Sequence, residues 1–209
     1  MMKEEQPAEM NKLIRKVKRY NDLILFRYFR GDFDKVLKYI EQEEQLIKRF
    51  QGEIPEEIKV LHTNWLMYKA NAYAYKGDLA LSFKYANELL RVGQMYDHRR
   101  GISDGKFALG RYYWLSGDLE KALVHYDRAI SLSERNLNDL WDFMQLANQL
   151  WMAMCASIDK EDLERAKKYF KRLEEIWELK PEGFPINDKI PETPNRDFSE
   201  MIIIFTFIK

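Results

Sequence analysis

One phrase recurs along this chain and constrains its fold more than any other feature. Residues 73–79 read Tyr-Ala-Tyr-Lys-Gly-Asp-Leu and residues 113–119 read Tyr-Trp-Leu-Ser-Gly-Asp-Leu, so the frame Tyr-x-x-x-Gly-Asp-Leu returns after 40 residues. Fainter copies lie at residues 29–33 and 162–166, which gives units of about 40–46 residues. A fixed period of this length is typical of repeat architectures, in which each unit buries its apolar face against the next. Four such units account for most of the 209 residues.

Each unit is predicted to consist of two helices joined at the Gly-Asp pair. In the third unit, small and apolar side chains follow this pair at the i, i+3, i+4, i+7 spacing of an amphipathic helix: Leu119, Ala122, Leu123, Tyr126, Ala129 and Ile130. Gly117 can adopt the positive φ that ends one helix, and Asp118 can cap the next helix by accepting backbone N–H bonds. The unit is therefore predicted to be an αα-hairpin.

These patterns predict an all-α fold in which about four helical hairpins stack as a right-handed superhelix, an α-α solenoid. Helices are predicted over 8–30, 33–50, 56–75, 79–96, 103–115, 119–136, 139–157 and 160–179. They form a repeat domain over 8–180, with units 8–50, 56–97, 103–136 and 139–180. Four of the six prolines lie between 181 and 194, where they disfavour long helix. Residues 181–209 are therefore predicted to be a proline-rich connector and an apolar C-terminal tail.

The third unit resembles a tetratricopeptide repeat. Its matching residues are Leu109, Gly110 and Tyr113 on the first helix, the Gly117–Leu119 turn, and Ala122, Tyr126 and Ala129 on the second. The other units are more degenerate, since Lys69 replaces the leucine in the second. The long period and the phrase at residues 96–101 are similar to long-repeat arrays of regulatory proteins, including the sensor regions of bacterial and archaeal transcription activators and signal-transducing ATPases. The resemblance implies a binding superhelix without chemistry of its own.

The resemblance also implies a concave groove lined by the first helix of each hairpin. The residues expected to line it are Asn64, Met67, Tyr68, Asn71, Asp104, Phe107, Arg111, Trp114, Asn148, Trp151 and Cys155. Asparagine can pair with both polar groups of a peptide backbone, and Arg111 can bind a carboxylate. Asn71 and Arg111 are thus a candidate ligand clamp, while Phe107, Trp114 and Trp151 are equally compatible with interhelical core. The lysine-and-asparagine clamp that some members use for chaperone C-termini is not reproduced at Asn21 and Leu25.

No catalytic residue, metal site or cofactor is predicted. The three histidines fall on different helices or turns, and the one cysteine can form neither an internal disulfide nor a Cys/His metal cage with them. Residues 101–107 differ from a phosphate loop in glycine spacing and place Phe107 where a hydroxyl is needed. The charged N-terminus lacks the apolar run of a signal peptide, and no segment reaches the length of a membrane span. A cytoplasmic protein is the expectation.

The predicted function is a non-catalytic adaptor or sensor that binds a protein or peptide in the groove. Nucleic acid is not the expected partner, because 34 basic and 34 acidic residues leave no net charge. A nucleic-acid-associated regulator remains the alternative, since Lys12, Arg15, Lys16, Lys18 and Arg19 form a local basic patch on the first helix. The apolar segment 201–208 is expected to cover the last repeat, enter the groove or pack across a homodimer, unless it is a poorly ordered remnant. Homo-oligomers through the tail or the repeat ends are therefore possible.

Overall fold

The structure, a computed structural model, describes residues 2–49, 55–135, 137 and 140–178. These segments form eight α-helices and contain no strand, which confirms the all-α prediction. The helices are α1 (Met2–Phe29), α2 (Phe33–Lys48), α3 (Glu56–Tyr75), α4 (Leu79–Met95), α5 (Arg99–Leu115), α6 (Leu119–Ser133), α7 (Leu140–Asp159) and α8 (Leu163–Glu178). The predicted connector and tail at 181–209 lie outside the described residues.

The helices pack in chain order as a row of hairpins. Each helix contacts the next one along the chain, and α1, α3, α5 and α7 also contact one another in sequence. These four form the odd-helix layer. Within the described residues, the backbones of α2, α4, α6 and α8 do not approach one another in this way, although Arg165 and Tyr169 on α8 both bond to Asp127 on α6. This arrangement is that of a helical-repeat superhelix, as predicted.

All four hairpin turns share one backbone geometry. Gly31, Gly77 and Gly117 have φ values of 68°, 80° and 85°, and Glu161 occupies the same position in the fourth hairpin with a φ of 62°. The N–H of the following aspartate donates to the carbonyl five residues earlier in each hairpin, at 2.9–3.0 Å. The fourth hairpin therefore keeps the turn although its sequence lacks the glycine, at the expense of a strained backbone.

The aspartate of the turn caps the second helix in three hairpins. The carboxylates of Asp78, Asp118 and Asp162 accept backbone N–H bonds from Leu81, Lys121 and Arg165 at 3.0–3.2 Å. The first hairpin differs, because Asp32 makes no side-chain cap bond. Its carboxylate instead accepts a 2.7 Å bond from Lys35.

Three helix starts differ from the sequence prediction by more than one residue. Helix α1 begins at Met2, six residues before the predicted residue 8, and caps explain the other two. Helix α5 begins at Arg99, four residues early, since the Nδ1 of His98 accepts the N–H of Gly101 at 3.3 Å. The same ring lies 3.2 Å from the hydroxyl of Thr63 on α3, so a contact between hairpins helps to position the cap. Helix α8 begins at Leu163, three residues late, because Asp162 is its cap.

Small residues allow the helices to approach closely, as the repeat pattern predicted. A Cβ added to Gly110 would lie 2.5 Å from Cδ1 of Tyr126 within the same hairpin. A Cβ on Gly105 would lie 2.8 Å from the backbone of Leu90, where α5 crosses α4. The buried side chains form one large cluster within α1–α4, another within α5–α8, and a small one between them. None of the described helices is long and apolar enough to cross a membrane.

Candidate functional site

Every residue predicted to line the groove lies in the odd-helix layer, on α3, α5 or α7. The buried ones are Met67, Tyr68, Asn71, Asp104, Phe107, Arg111 and Trp151, and the half-buried ones are Asn64, Trp114, Asn148 and Cys155. The polar members of this set therefore need hydrogen-bond partners that water does not readily supply. The apolar, charged and amide-bearing members of the set make different contacts within the fold.

The apolar members pack within the hydrophobic clusters. Met67 and Tyr68 belong to the α1–α4 cluster, while Phe107 and Trp151 belong to the α5–α8 cluster. The ring centroid of Tyr68 lies 5.0 Å from that of Tyr28. This packing fits the interpretation of Phe107 and Trp151 as interhelical core, and their contact with a ligand stays a prediction.

Arg111 is a buried cation at the junction of α3 and α5. Its Nη1 donates a 2.9 Å hydrogen bond to the hydroxyl of Tyr75. Its guanidinium carbon lies 5.1 Å from the ring centroids of both Tyr75 and Phe107, which places the charge against two aromatic rings. Tyr75 is four residues after Asn71, so both lie on one side of α3. The two members of the candidate clamp thus lie beside the same tyrosine, which the sequence analysis did not select.

Asp104 is a buried carboxyl on the same side of α5 as Arg111. The pKa of Asp104 is raised to about 7, mainly by burial; Arg100 opposes this increase, and the nearby Asp142 adds to it. Burial also raises the pKa of Tyr68 far above its usual value, with smaller contributions from Tyr28 and Asp104. Burial therefore favours the protonated form of Asp104 more than in an exposed aspartate.

Each helix of the odd-helix layer carries at least one buried side-chain oxygen that accepts no hydrogen bond. These oxygens are the Oδ1 atoms of Asn21 on α1, Asn71 on α3, Asp104 on α5 and Asn148 on α7, together with Oε1 of Gln149 on α7. A buried acceptor without a donor destabilises the fold by about 1–3 kcal/mol. The layer therefore has unused capacity to accept hydrogen bonds, and all four of its helices contribute to this capacity.

Trp114 has a partner at the end of the next hairpin's first helix. Its Nε1 donates a 2.6 Å hydrogen bond to Oδ2 of Asp159, which ties the end of α5 to the end of α7. The indole N–H is thus used within the fold, and the apolar part of the ring packs against the α5–α8 cluster.

A buried polar network between the third and fourth hairpins was not anticipated from the sequence. Ser103 on α5 donates to the carbonyl of Ala129 at 3.0 Å, lies 2.8 Å from the hydroxyl of Ser133, and accepts a 3.0 Å bond from Gln149 on α7. Arg100 also pairs with the buried Asp142 across the same two helices. The only signal in the sequence is a serine and a glutamine at positions that face other helices.

The described residues contain no group of three or more His, Cys, Asp or Glu side chains placed to hold a metal ion. The three histidines are held toward the neutral form. Burial lowers the pKa of His62 and of His98, and it lowers the pKa of His125 to about 4.

Comparison with known families identifies one of the four units. Residues 103–136 match the family model of the tetratricopeptide repeat, and they cover most of α5 and all of α6. The match coincides with the third predicted unit and confirms the resemblance stated from its residues. No curated protein matches the chain.

Proposed function

We propose that this chain, which contains a tetratricopeptide repeat, binds a protein segment or peptide along its odd-helix layer and acts as an adaptor or sensor without catalysis. The observation that carries the proposal is the set of buried acceptor oxygens on Asn21, Asn71, Asp104 and Asn148, which come from all four helices of the layer. An extended peptide presents backbone N–H groups at regular intervals, so it can supply donors to several acceptors.

The charge at the centre of the layer supports a carboxylate as the part of the peptide that binds there. The buried guanidinium of Arg111, held between Tyr75 and Phe107, is suited to a carboxylate. Asn71 lies on the neighbouring helix and accepts no hydrogen bond through its Oδ1. A ligand carboxylate, either a side chain or a C-terminus, is therefore expected at Arg111 while an adjacent backbone N–H reaches Asn71.

A selection from a display library of random peptides tests this proposal. Peptides recovered by the native chain should lose most of their affinity for the Asn71→Ala/Arg111→Ala variant, and removal of their carboxylate should have the same effect. The matched control is Asn87→Ala/Arg128→Ala, which changes an exposed asparagine on α4 and an exposed arginine on α6. Circular dichroism should show that both variants remain helical. Equal affinity of both variants for the selected peptides would make the groove assignment wrong.

One groove favours the alternative function as a second candidate. Between α1 and α2 lies a groove of about 620 Å³ whose lining includes Lys16, Arg19 and Arg49, and no carboxylate is among its described lining residues. Tyr20 and Tyr39 also line it, with ring centroids 6.2 Å apart. Cations together with aromatic rings suit a single-stranded nucleic acid.

This alternative is tested by retention on heparin and by fluorescence anisotropy with a labelled single-stranded oligonucleotide. Binding should weaken steeply as salt is raised and should be lost in Lys16→Glu/Arg19→Glu. Binding that does not change with salt concentration, or that persists in Lys16→Glu/Arg19→Glu, would rule out nucleic-acid binding at this groove. The peptide-binding proposal would be unaffected.

A further inference from the structure

The charged side chains of α6 lie on two different sides of the helix. The acidic ones recur every seven residues, which is about two helical turns, and they are Glu120, Asp127 and the C-cap residue Glu134. Each forms an ion pair with a cation of the fourth hairpin, in this order Lys160, Arg165 and Arg172. The acidic side of α6 is therefore neutralised within the fold.

Basic side chains lie on another side of α6. His125 and Arg128, three residues apart, share this side, and the His125 ring stacks on Tyr113 of α5 at a centroid distance of 5.2 Å and an angle of 21°. Lys106 precedes Tyr113 by seven residues and so lies on the same side of α5. The Tyr113 ring in turn lies 6.3 Å from the ring of Phe83 on α4. Together these five residues form the α4–α6 surface, which lies between two helices whose backbones do not approach each other.

Two cations of the α4–α6 surface are left without a partner. Lys106 and Arg128 form no ion pair or hydrogen bond within the part of the chain that the structure describes. Burial, and after it the charge of Arg128, lower the pKa of Lys106. Burial, Lys106 and Arg128 lower the pKa of His125 to about 4. No described carboxylate contributes to either shift, so an anion bound here would offset positive charge that the fold leaves uncompensated.

The other acids of α4 and α6 do not offset these cations. Glu88 is the one acid of α4, and its charge acts on His62 of α3, so its carboxylate lies toward α3. Asp118, at the start of α6, is paired with Lys121 at 2.7 Å. The α4–α6 surface is therefore positive.

The same groups are accessible to a partner. Arg128 is exposed, and Lys106 is half-buried with an Nζ atom that keeps contact with solvent. Phe83 is 37% exposed, although its ring packs against Tyr113. Asn87 lies one turn after Phe83 and is also exposed. A ligand can therefore contact two positive charges, an apolar ring and an amide at one place.

This chemistry favours a protein segment over a nucleic acid. The acidic side of α6 runs beside the basic side, so a continuous phosphate backbone that crosses α6 would meet the charge of Asp127. Carboxylates spaced by apolar side chains fit better, because they can pair with Lys106 and Arg128 while an apolar group packs on Phe83. The Asp127–Arg165 pair between α6 and α8 shows the same kind of contact between neighbouring elements of this fold.

We propose that the α4–α6 surface binds an acidic, partly apolar segment of a partner protein, whose carboxylates pair with Lys106 and Arg128 and whose apolar side chain packs on Phe83. The surface is distinct from the proposed peptide site of the odd-helix layer, because Asp104 and Arg111 lie on a different side of α5 from Lys106. A chain with both sites can hold two protein segments at once.

Fluorescence anisotropy with the full chain tests this proposal. The probes are short labelled peptides in which the spacing of glutamate and leucine varies. At least one spacing should bind, and replacing its glutamates with glutamine should weaken binding at least about tenfold, because the ion pairs are lost. A labelled single-stranded oligonucleotide is the comparison. The proposal would be overturned if no acidic peptide bound, or if the oligonucleotide bound more tightly and lost its binding in Lys106→Gln/Arg128→Gln.

The variant Lys106→Gln/Arg128→Gln also locates the peptide. It should bind the acidic peptide at least about tenfold more weakly, and its urea midpoint should not fall, because neither cation has a partner in the fold to lose. Phe83→Ala should weaken binding as well. Lys168→Gln/Lys171→Gln is the matched control, since it removes two charges from exposed positions on α8, and it should bind as the native chain does. Unchanged affinity in Lys106→Gln/Arg128→Gln, an equal loss in the control or a fall in the midpoint would overturn the assignment.

The variant Asn71→Ala/Arg111→Ala separates this surface from the proposed peptide site of the odd-helix layer. Acidic peptides at the α4–α6 surface should bind this variant as they bind the native chain. They should bind Asn87→Ala/Arg128→Ala more weakly, because it lacks one of the two cations. Complete loss of binding in Asn71→Ala/Arg111→Ala would place the peptides at Arg111, which would overturn this inference without affecting the proposed function.

Discussion

The side chain of Arg111 donates a 2.9 Å hydrogen bond through Nη1 to the hydroxyl of Tyr75, which lies 36 residues earlier in the chain. The bond joins the first helices of two successive hairpins and holds a buried cation in the middle of the odd-helix layer. Because both residues also contact each other through the aromatic ring, the position of the guanidinium depends on Tyr75. Tyr75 therefore positions the candidate clamp residue Arg111 and is not itself expected to contact the ligand.

Replacing Tyr75 with phenylalanine should lower the free energy of unfolding by about 1–3 kcal/mol. The ring remains, but Nη1 of the buried guanidinium loses the hydroxyl that accepts its hydrogen bond. Urea unfolding followed by circular dichroism measures the loss. Tyr112→Phe is the matched control, since Tyr112 is half-buried and packs on Phe83 through its ring. An equal loss in both variants would contradict the importance of the Arg111–Tyr75 bond.

Exchanging residues at the hairpin turns should have opposite effects in two units. Glu161→Gly relieves a positive φ of 62° and should raise the free energy of unfolding by about 0.5–1 kcal/mol, because the steric gain exceeds the entropy cost of glycine. Gly117→Ala imposes the same strain at a φ of 85° with no atom within 4 Å of the added Cβ, and should lower it by a similar amount. Urea midpoints that move in the same direction would show that the two turns are not equivalent.

Gly110→Ala should destabilise the third hairpin by about 1–3 kcal/mol. The added methyl group would lie 2.5 and 2.6 Å from Cδ1 and Cε1 of Tyr126, and this overlap outweighs the better helix propensity of alanine. Thermal unfolding of both single variants and the double variant with Tyr126→Leu measures the coupling. The penalty for Gly110→Ala should largely disappear in the Tyr126→Leu background, and a full penalty there would exclude the ring as its cause.

Glu43 should make stability depend on pH. It is 0% exposed; burial, and to a lesser extent the charge of Glu44, raise the pKa of Glu43 from 4.5 to about 9. The folded state then binds a proton that the unfolded state releases, so the free energy of unfolding is highest below pH 4.5. It falls as pH rises toward about 9, by at most about 1.4 kcal/mol per pH unit.

Urea unfolding between about pH 5 and pH 9 checks this dependence. Glu43→Gln keeps the shape without the ionisable group, so its stability should decline less over this range than that of the native chain. Glu41→Gln changes an exposed glutamate on the same helix and should decline as the native chain does. Parallel pH profiles for the native chain and Glu43→Gln would show that Glu43 is not the group responsible.

The sequence by itself determined the repeat, the hairpins and the turn. The pair Gly117-Asp118 specifies a left-handed turn and a helix cap within a few residues, and the spacing of Ala122, Tyr126 and Ala129 specifies which side of the next helix is buried. These are local properties of the backbone and of helical periodicity. The repeat, the hairpins and the turn could therefore be predicted from the sequence alone.

Only the tertiary structure decided which polar groups are paired. The Arg111–Tyr75 bond and the Ser103–Gln149 network both depend on the distance and angle between helices from different hairpins. A shift of about one ångström between two helices would break each hydrogen bond while leaving the apolar periodicity unchanged. The sequence pattern therefore predicts that a side chain is buried, whereas helix packing decides what that side chain contacts.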